Sequence, residues 1–371
     1  MKRLIKMGVL LTFMCALLAS CHSEKRPKAL TTEQVESKYA SGVVLVCNTY
    51  YYVIDFGDGV CFYFSGLDDD NVPQNLTLEE SEIVASQSFG TGFFISKDGL
   101  IATNSHVVTP GVNISSVRSS IIGALQAMTG EIESSINEMN ENLGVLKNRY
   151  YSAEYDSDRM EYENAYNELR TQRDEAQNIV NALNSIGSAE YNAYIHSDIR
   201  IAYNNTHVTE ISDFIECVEI EDDPDHDLAI IQLKDKVTPE GKHVFRVTKG
   251  KTTNNKKSDG KLKSGNKLYM IGFNLGPNLA LTKEGIKAQV TSGEVSQLTD
   301  NIKIMYTIPS LPGSSGSPVI DRFGKLVAIN FAGVSDTQNF NYGIRASCLR
   351  KLLDKLKEGS EGSEDSEDSD S

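Results

Sequence analysis

The chain reads as a mainly β protein, a barrel or sandwich of short strands interrupted by a long helical hairpin. Three observations predict this. Short apolar runs rich in Val, Ile, Tyr and Phe alternate with Gly, Asp and Asn turns on both sides of the chain's middle. Between Val112 and Pro224 there is no proline. Within that stretch apolar residues fall at steps of three and four, the helical period.

The first β segment covers Gly42 to Ile95. "GVVLVCNTYYYVI" and "GVCFYFSG" flank Phe56-Gly57-Asp58-Gly59, a hairpin signal. "FGTGFFIS" and "LIATNSHVV", joined by Lys97-Asp98-Gly99, form a second. The helical pattern runs through Leu125, Met128, Ile132, Ile136, Met139, Leu143, Leu146 and Tyr150, then restarts at Tyr162, Tyr166, Leu169, Ala176, Val180 and Leu183. Two antiparallel helices joined near Ser152 to Asp158 fit it, and one continuous coiled coil is the alternative. β texture returns in "RIAY", "IECVEI", "LAIIQL", "KLYMIGF", "IKAQVTSGEVSQ", "IKIMYTI", "SPVID" and "KLVAINFAGV", and "ASCLRKLLDKLKEG" closes as an amphipathic helix.

The two ends have their own character. Lys2, Arg3 and Lys6 precede an apolar run from Met7 to about Leu18 that ends in Leu18-Ala19-Ser20-Cys21. The run is shorter than the roughly 20 residues a membrane span needs. The tetrapeptide resembles the lipobox of bacterial lipoproteins, which implies cleavage before Cys21 and lipidation of its thiol. An ordinary secretory signal is the alternative. Residues 1–20 are thus expected to be signal and 21–41 a tether, in a cell-envelope protein facing the periplasm or the cell surface. Glu358 to Ser371 holds seven acidic and no apolar residues, so 354–371 is expected to be an acidic, disordered tail. The net charge of −15 argues against a nucleic-acid partner. Of six cysteines, Cys47, Cys61, Cys217 and Cys348 would stay in the folded part. They are read as free thiols or as including a Cys47–Cys61 bridge, and no Cys/His spacing suggests zinc or another metal.

The chemistry centres on "LPGSSGSPVI", Leu311 to Ile320. A flexible Gly/Ser linker would normally be longer and flanked by polar sequence, whereas this stretch lies between two apolar strand candidates; on these residues alone a linker remains the alternative. Small residues around Ser315 suit a tight turn that holds a nucleophile out beside backbone donors. Of six histidines, His106 alone ends a run of strand texture. In "DDPDHDLAIIQL" Asp227 is the last acid before an apolar strand and so the one carried inward. Asp222, Asp223 and Asp225 read as a solvated turn.

"GTGFFISKDGLIATNSHVV", "DHDLAIIQL", "PGSSGSPVID", "GKLVAINFAGV" and "NYGIRAS", in this order, resemble the trypsin-fold serine proteases of the HtrA/DegP family. The likeness covers about Gly42 to Leu353 apart from the helices. It implies a chymotrypsin-like double β-barrel protease domain over 42–353, interrupted by a helical hairpin at 117–189. It also implies peptide-bond hydrolysis through an acyl-enzyme, with Ser315 as nucleophile, His106 as general base and Asp227 orienting it. The N–H groups of Gly313 and Ser315 would form the oxyanion hole. Protein or peptide substrates are implied, and no cofactor. Pro309, Phe331, Ala332 and Gly333 would line an apolar substrate pocket. Two departures stand out. Gly316-Ser317 replaces the usual two glycines, as in glutamyl endopeptidases, but those tend to carry His where this chain has Asn330. Only about twenty-five residues follow Ala346, so the PDZ domain usual in this family is expected to be missing. Tyr150, Tyr151, Tyr155, Tyr162 and Tyr166 crowd the hairpin tip; exposed there they would suit a homo-oligomer or substrate contact, and simple packing across the hairpin is the alternative. The rival functions are a catalytically silent trypsin-fold binding or chaperone protein and a coiled-coil envelope lipoprotein.

Overall fold

The computed structural model describes residues 28–57, 59–111, 114–188, 190–247, 262–333 and 340–364. The chain enters through α1 (Thr32–Tyr39), which the sequence reading assigned to a tether. Thr31 and Gln34 form a capping box at its start. Val35 and Tyr39 on its inner face are buried, and Tyr269 Oη donates to Leu30 O at 2.8 Å. Residues from Leu30 onward are therefore part of the folded body. Their apolar spacing is short, but it has a core to meet.

Strands β1 (Val43–Asp55), β2 (Cys61–Phe64), β3 (Ser86–Phe94) and β4 (Leu100–Thr103) form the two predicted hairpins. A short α2 (Ser105–Val108) follows β4. Then come the long helices α3 (Ile114–Ser152) and α4 (Asp156–Ser188). Strands β5 (Asn192–Tyr203), β6 (Ile215–Asp223) and β7 (Leu228–Leu233) complete a closed ring in the order β1-β3-β4-β7-β6-β5, with β2 added beside the outer half of β1. The second half supplies β8 (Lys267–Gly272), the one-turn helix α5 (Pro277–Ala280), β9 (Gln289–Gln297), β10 (Lys303–Tyr306), β11 (Pro318–Asp321), β12 (Leu326–Gly333) and β13 (Asn341–Arg345). These strands close a six-stranded barrel in the order β8-β9-β10-β13-β12-β11. The predicted double β-barrel with an inserted helical hairpin is the architecture of this chain.

Each barrel has its own apolar filling, around Val46, Phe94 and Ile231 in the first and Leu268, Ile304 and Val319 in the second. A larger cluster bridges them. It joins Leu45, Phe93 and Ile230 to Ile271, Phe273 and Ile329, and takes in Val35 and Tyr39 of α1. It also takes in Leu349 and Leu352 of α6 (Ala346–Glu364). That last helix runs to Glu364, past the predicted start of a disordered tail at residue 354. A helix anchored by buried leucines extends at little further cost. Residues 365–371, and the signal segment with Cys21, lie outside the described residues.

The helical hairpin stands on the outer half of β1. Val117, Ile121 and Leu125 of α3 pack on Tyr52, Ile54, Phe62 and Phe64, with Leu183 and Ile186 of α4 beside them. At 39 and 33 residues the helices are about 58 and 50 Å long at 1.5 Å per residue. Ile136, Leu143 and Val180 are buried along the seam. At the tip Tyr151 and Tyr155 are exposed, while Tyr150, Tyr162 and Tyr166 are half-buried across the hairpin.

The four cysteines are free thiols, and a Cys47–Cys61 bridge is ruled out by register. Cys61 pairs with Asp55 at the far end of β1, whereas Cys47 pairs with Phe89 and Arg200. Burial pushes the Cys47 thiol up to about 11 and that of Cys217 up to about 12.

Candidate active site

His106 is delivered by the end of β4. The strand stops at Thr103, and Asn104 opens the α2 turn that carries the imidazole. Asn104 Nδ2 donates to Asp227 O at 2.6 Å. This ties the turn to the residue just before β7. Asp227 itself sits in the left-handed region (φ 50°) as the cap of a turn over Pro224–His226. That is an unusual conformation for a residue with a side chain. Here it aims the carboxylate at α2. His106 N–H donates to Asp227 Oδ1 at 3.0 Å, and Nδ1 lies 2.9 Å from both carboxylate oxygens. With its proton on Nδ1, the ring presents Nε2 as a free base. The pair is not deeply buried: the side chains are 47% and 23% exposed.

Asp222 departs from its reading as part of a solvated turn. It is half-buried, burial pushes its carboxyl above the ordinary carboxylate range, and a hydrogen bond from Ser105 opposes that shift. A bulge in β6 between Glu219 and Glu221 shifts the alternation of the strand by one. His226 lies in the turn rather than on a strand, and its Nδ1 meets Asp223 at 2.9 Å. It takes no part in the His106 pair.

Ser315 sits on a turn flanked by Gly313 (φ 88°) and Gly316 (φ 85°). A Cβ on Gly316 would come within 1.9 Å of Thr91 O, and one on Gly313 within 2.5 Å of Gly276 N. Both positions therefore need glycine for space as well as backbone angle. The turn is tied across the barrel interface by Thr91 of β3. Thr91 N donates to Ser315 O at 2.7 Å, and Thr91 Oγ1 to Gly313 O at 2.9 Å. Thr103, three residues before His106, donates from Oγ1 to Thr91 O at 2.8 Å. This chain of contacts brings the Ser315 turn beside the His106 strand. Ser315 Oγ lies 3.5 Å from Phe331 O and, among the described residues, has no hydrogen bond to the His106 ring. In unliganded sites such contacts are often long and tighten with substrate.

Every carbonyl of the turn is engaged. Leu311 O accepts from Ser314 N and Oγ, Pro312 O from Leu275 N, Gly313 O from Thr91 Oγ1, Ser314 O from Ser317 N and Asn330 Nδ2, and Ser315 O from Thr91 N. Among the described residues the N–H groups of Gly313 and Ser315 have no acceptor. Ser317, at the departure from two glycines, is fully buried. Its hydroxyl would be 1.9 Å from a Cβ on Gly272, so a glycine in β8 makes room for it.

The predicted pocket residues are only partly brought together. Pro309 is exposed. Phe331 offers its carbonyl to Ser315, but its ring is turned to Tyr342 (6.4 Å between centroids) and to the Lys303 ammonium, 5.0 Å away. Ala332 and Gly333 pair with Tyr342 and Asn341 at the end of β12, and the side chain of Ala332 lies outside the described residues. Thr91 was missed from sequence. Its signal was the bracket Gly90-Thr91-Gly92, where a Cβ on either glycine would strike Val107 or Ile101. Among the described residues no group of three or more His, Cys, Asp or Glu is placed to hold a metal, and no helix is long and apolar enough to cross a membrane.

Residues 177–329 match the sequence family described as Trypsin-like peptidase domain, a stretch that holds Asp227 and Ser315 but not His106. A protein of Bartonella henselae described as a probable periplasmic serine endoprotease DegP-like is 39% identical over 51 residues, 14% of this chain and 10% of that protein. The chain thus spans a small fraction of that relative's length. The serine endoprotease from Yersinia pestis aligns in structure over 89% of this chain and 67% of its own, at 14% identity and a TM-score of 0.42.

Proposed function

We propose that the protein is a serine endopeptidase of HtrA/DegP type that cleaves protein or peptide substrates in the cell envelope. The observation that carries this is the geometry around Ser315. A small-residue turn presents a serine beside two uncommitted backbone N–H groups, and contacts through Thr91 and Thr103 tie that turn to the strand that delivers His106, which is paired with Asp227.

Ser315 Oγ attacks the substrate carbonyl carbon and passes its proton to His106 Nε2. Asp227 holds the Nδ1–H tautomer and stabilises the imidazolium. The N–H groups of Gly313 and Ser315 donate to the oxyanion. The C–N bond then breaks, and the amine leaves with the proton from His106. Water, deprotonated by the same ring, hydrolyses the ester and regenerates Ser315. The residue before the scissile bond is proposed to be small or medium and apolar, seated along the end of β12 at Ala332 and Gly333, since Pro309 is exposed and the Phe331 ring is turned to Tyr342 and Lys303. A peptide library dominated by Lys, Arg or Glu at that position would refute this preference.

The test is a fluorophosphonate probe and a peptide assay on wild type and Ser315→Ala. The probe labels wild type at Ser315, and the alanine variant loses about 10⁶ in turnover. The contact of Ser315 Oγ with Phe331 O rather than His106 favours a second reading, a silent trypsin-fold binding protein, which would leave wild type unlabelled. Lipidation of Cys21 supplies the membrane anchor. Cys21→Ser is expected to move the protein into the soluble fraction and to lose lipid label, and unchanged partitioning would refute the anchor.

A further inference from the structure

Under the nucleophile turn, inside the second barrel, buried polar side chains converge. Asn330 of β12 is 1% exposed, Ser314 is 1% exposed, and Tyr306 of β10 is fully buried. Asn330 Nδ2 lies 3.0 Å from Ser310 Oγ and 3.1 Å from both Ser314 O and Ser314 Oγ. Its Oδ1 lies 2.8 Å from Tyr306 Oη, whose single proton is shared between Asn330 Oδ1 and Tyr342 O at 3.0 Å. Ser310 Oγ and Ser314 Oγ are 2.8 Å apart, and Ser314 Oγ donates to Leu311 O at 2.6 Å.

Donor and acceptor types permit one direction through this network. A peptide carbonyl can only accept, so the atom of Asn330 facing Ser314 O is its NH₂ and the one facing Tyr306 is its carbonyl. Ser314 spends its proton on Leu311 O, so its oxygen accepts from Ser310. The chain runs from Tyr306 through Asn330 and Ser310 to Ser314 and ends on the turn's own backbone.

The turn needs such a brace. Glycines with positive φ sit on either side of Ser314-Ser315 and can hinge at low steric cost. The free N–H groups of Gly313 and Ser315 favour any peptide rotation that finds them an acceptor. Ser314 lies between these two donors, so fixing it fixes both.

We infer that Asn330 is the positioning residue of the oxyanion site. Its amide, acting through Ser314 and Ser310, holds the two N–H groups convergent before substrate arrives. This rests on the proposal that Ser315 is the nucleophile. Among the described residues the Asn330 side chain bonds to Tyr306, Ser310 and Ser314 and not to Ser315 Oγ, His106 or Asp227. Its backbone also pairs with the turn, since Gly316 N donates to Asn330 O at 2.8 Å and Asn330 N to Ser317 O at 2.9 Å. Those bonds survive loss of the side chain, so an alanine at this position tests the amide.

The test is steady-state kinetics of Asn330→Ala on a short chromogenic peptide, with Ser310→Ala as a milder second variant and near-UV circular dichroism to confirm folding. For Asn330→Ala the expected result is a fall in kcat of about 10- to 100-fold, below the loss from deleting a donor outright, with KM changed less than about twofold. Affinity for a peptide aldehyde, which forms the tetrahedral adduct, falls by the same factor as kcat/KM. The pH profile keeps its midpoint, because the His106–Asp227 pair is untouched. Ser310→Ala loses several-fold in kcat in the same pattern, and it decides the matter if the Asn330 variant does not fold. Folded variants with kcat near wild type, or with a rise in KM alone, would overturn the inference. Undiminished turnover in Ser315→Ala would overturn the protease proposal itself, so the two failures are distinct.

Discussion

The most informative single side chain is Asp227, because its two roles can be separated. Its carboxylate accepts from both the backbone N–H and the Nδ1 of His106. Asp227→Asn keeps the size and an acceptor for the backbone, but its NH₂ facing the ring would require the other tautomer and protonate Nε2 instead. The expected loss in kcat is about 10⁴ at neutral pH, with folding intact. A loss below about tenfold would mean that His106 is oriented by other contacts. Ser315, His106 and Asp227 could be picked from the sequence because each lies close to a strand end inside a short, specific motif; the structure pairs His106 with Asp227 and leaves Ser315 Oγ on Phe331 O. Thr91 and Asn330 were not legible as parts of the turn. Thr91 meets Gly313 across 222 positions of chain, and strand alternation tells only that a residue faces inward. Asn330 was noticed as a specificity marker, while its contacts with Ser310 and Ser314 exist only once β12 lies under the turn. Asp222 was misread because the strand runs on to Asp223, past the end of "IECVEI", and brings Asp222 beside Ser105.

Among the elements, the long helices were the easiest to read. Their period holds for many turns, and the predicted junction at Ser152 to Asp158 brackets the observed break between Ser152 and Asp156. Helix α1 was missed because eight residues carry little periodicity, although Thr31-x-x-Gln34 was a usable start signal. The hairpin's base is structural. Val117 and Ile121 are almost wholly buried against β1 and β2, and burying each such side chain contributes about 1.5–3 kcal/mol. Excising the whole insertion would therefore uncover Tyr52, Ile54 and Phe64. Replacing Thr129–Asn178 by a short Gly/Ser loop leaves that base in place and removes the outer arms with their tyrosine tip. The expected product is a folded barrel that cleaves short peptides at wild-type rate but differs in protein-substrate cleavage or in oligomer size. Light scattering and a casein assay read the two. A truncated protein equal to wild type in both would leave the arms without a role as gate or assembly element.

At the scale of the whole molecule, the candidate active site lies where the barrels meet, so the proposed catalysis would depend on how they are held together. His106 and Asp227 come from the first barrel and Ser315 from the second, and the apolar cluster between them is continuous. α1 closes this interface. The Tyr39 ring packs against His243 at 4.6 Å and Phe245 at 5.8 Å between centroids, in the segment that leaves the first barrel. Its hydroxyl is 1.7 Å from where a Cβ on Gly324 would lie, in the turn between β11 and β12. One side chain thus touches both halves. Tyr39→Ala should cost about 3–5 kcal/mol by the measure of other buried aromatics. For a domain of this size that is a fall in Tm on the order of 10 °C. If the interface couples the barrels, calorimetry on wild type gives a single transition, and the variant either shifts it as a unit or splits it. The turnover of Tyr39→Ala at a temperature well below its Tm should also fall, because a looser interface moves Ser315 relative to His106. A wild-type thermogram with two separate transitions, or a variant with unchanged Tm, would show that the barrels are stable apart and that α1 only rests on them.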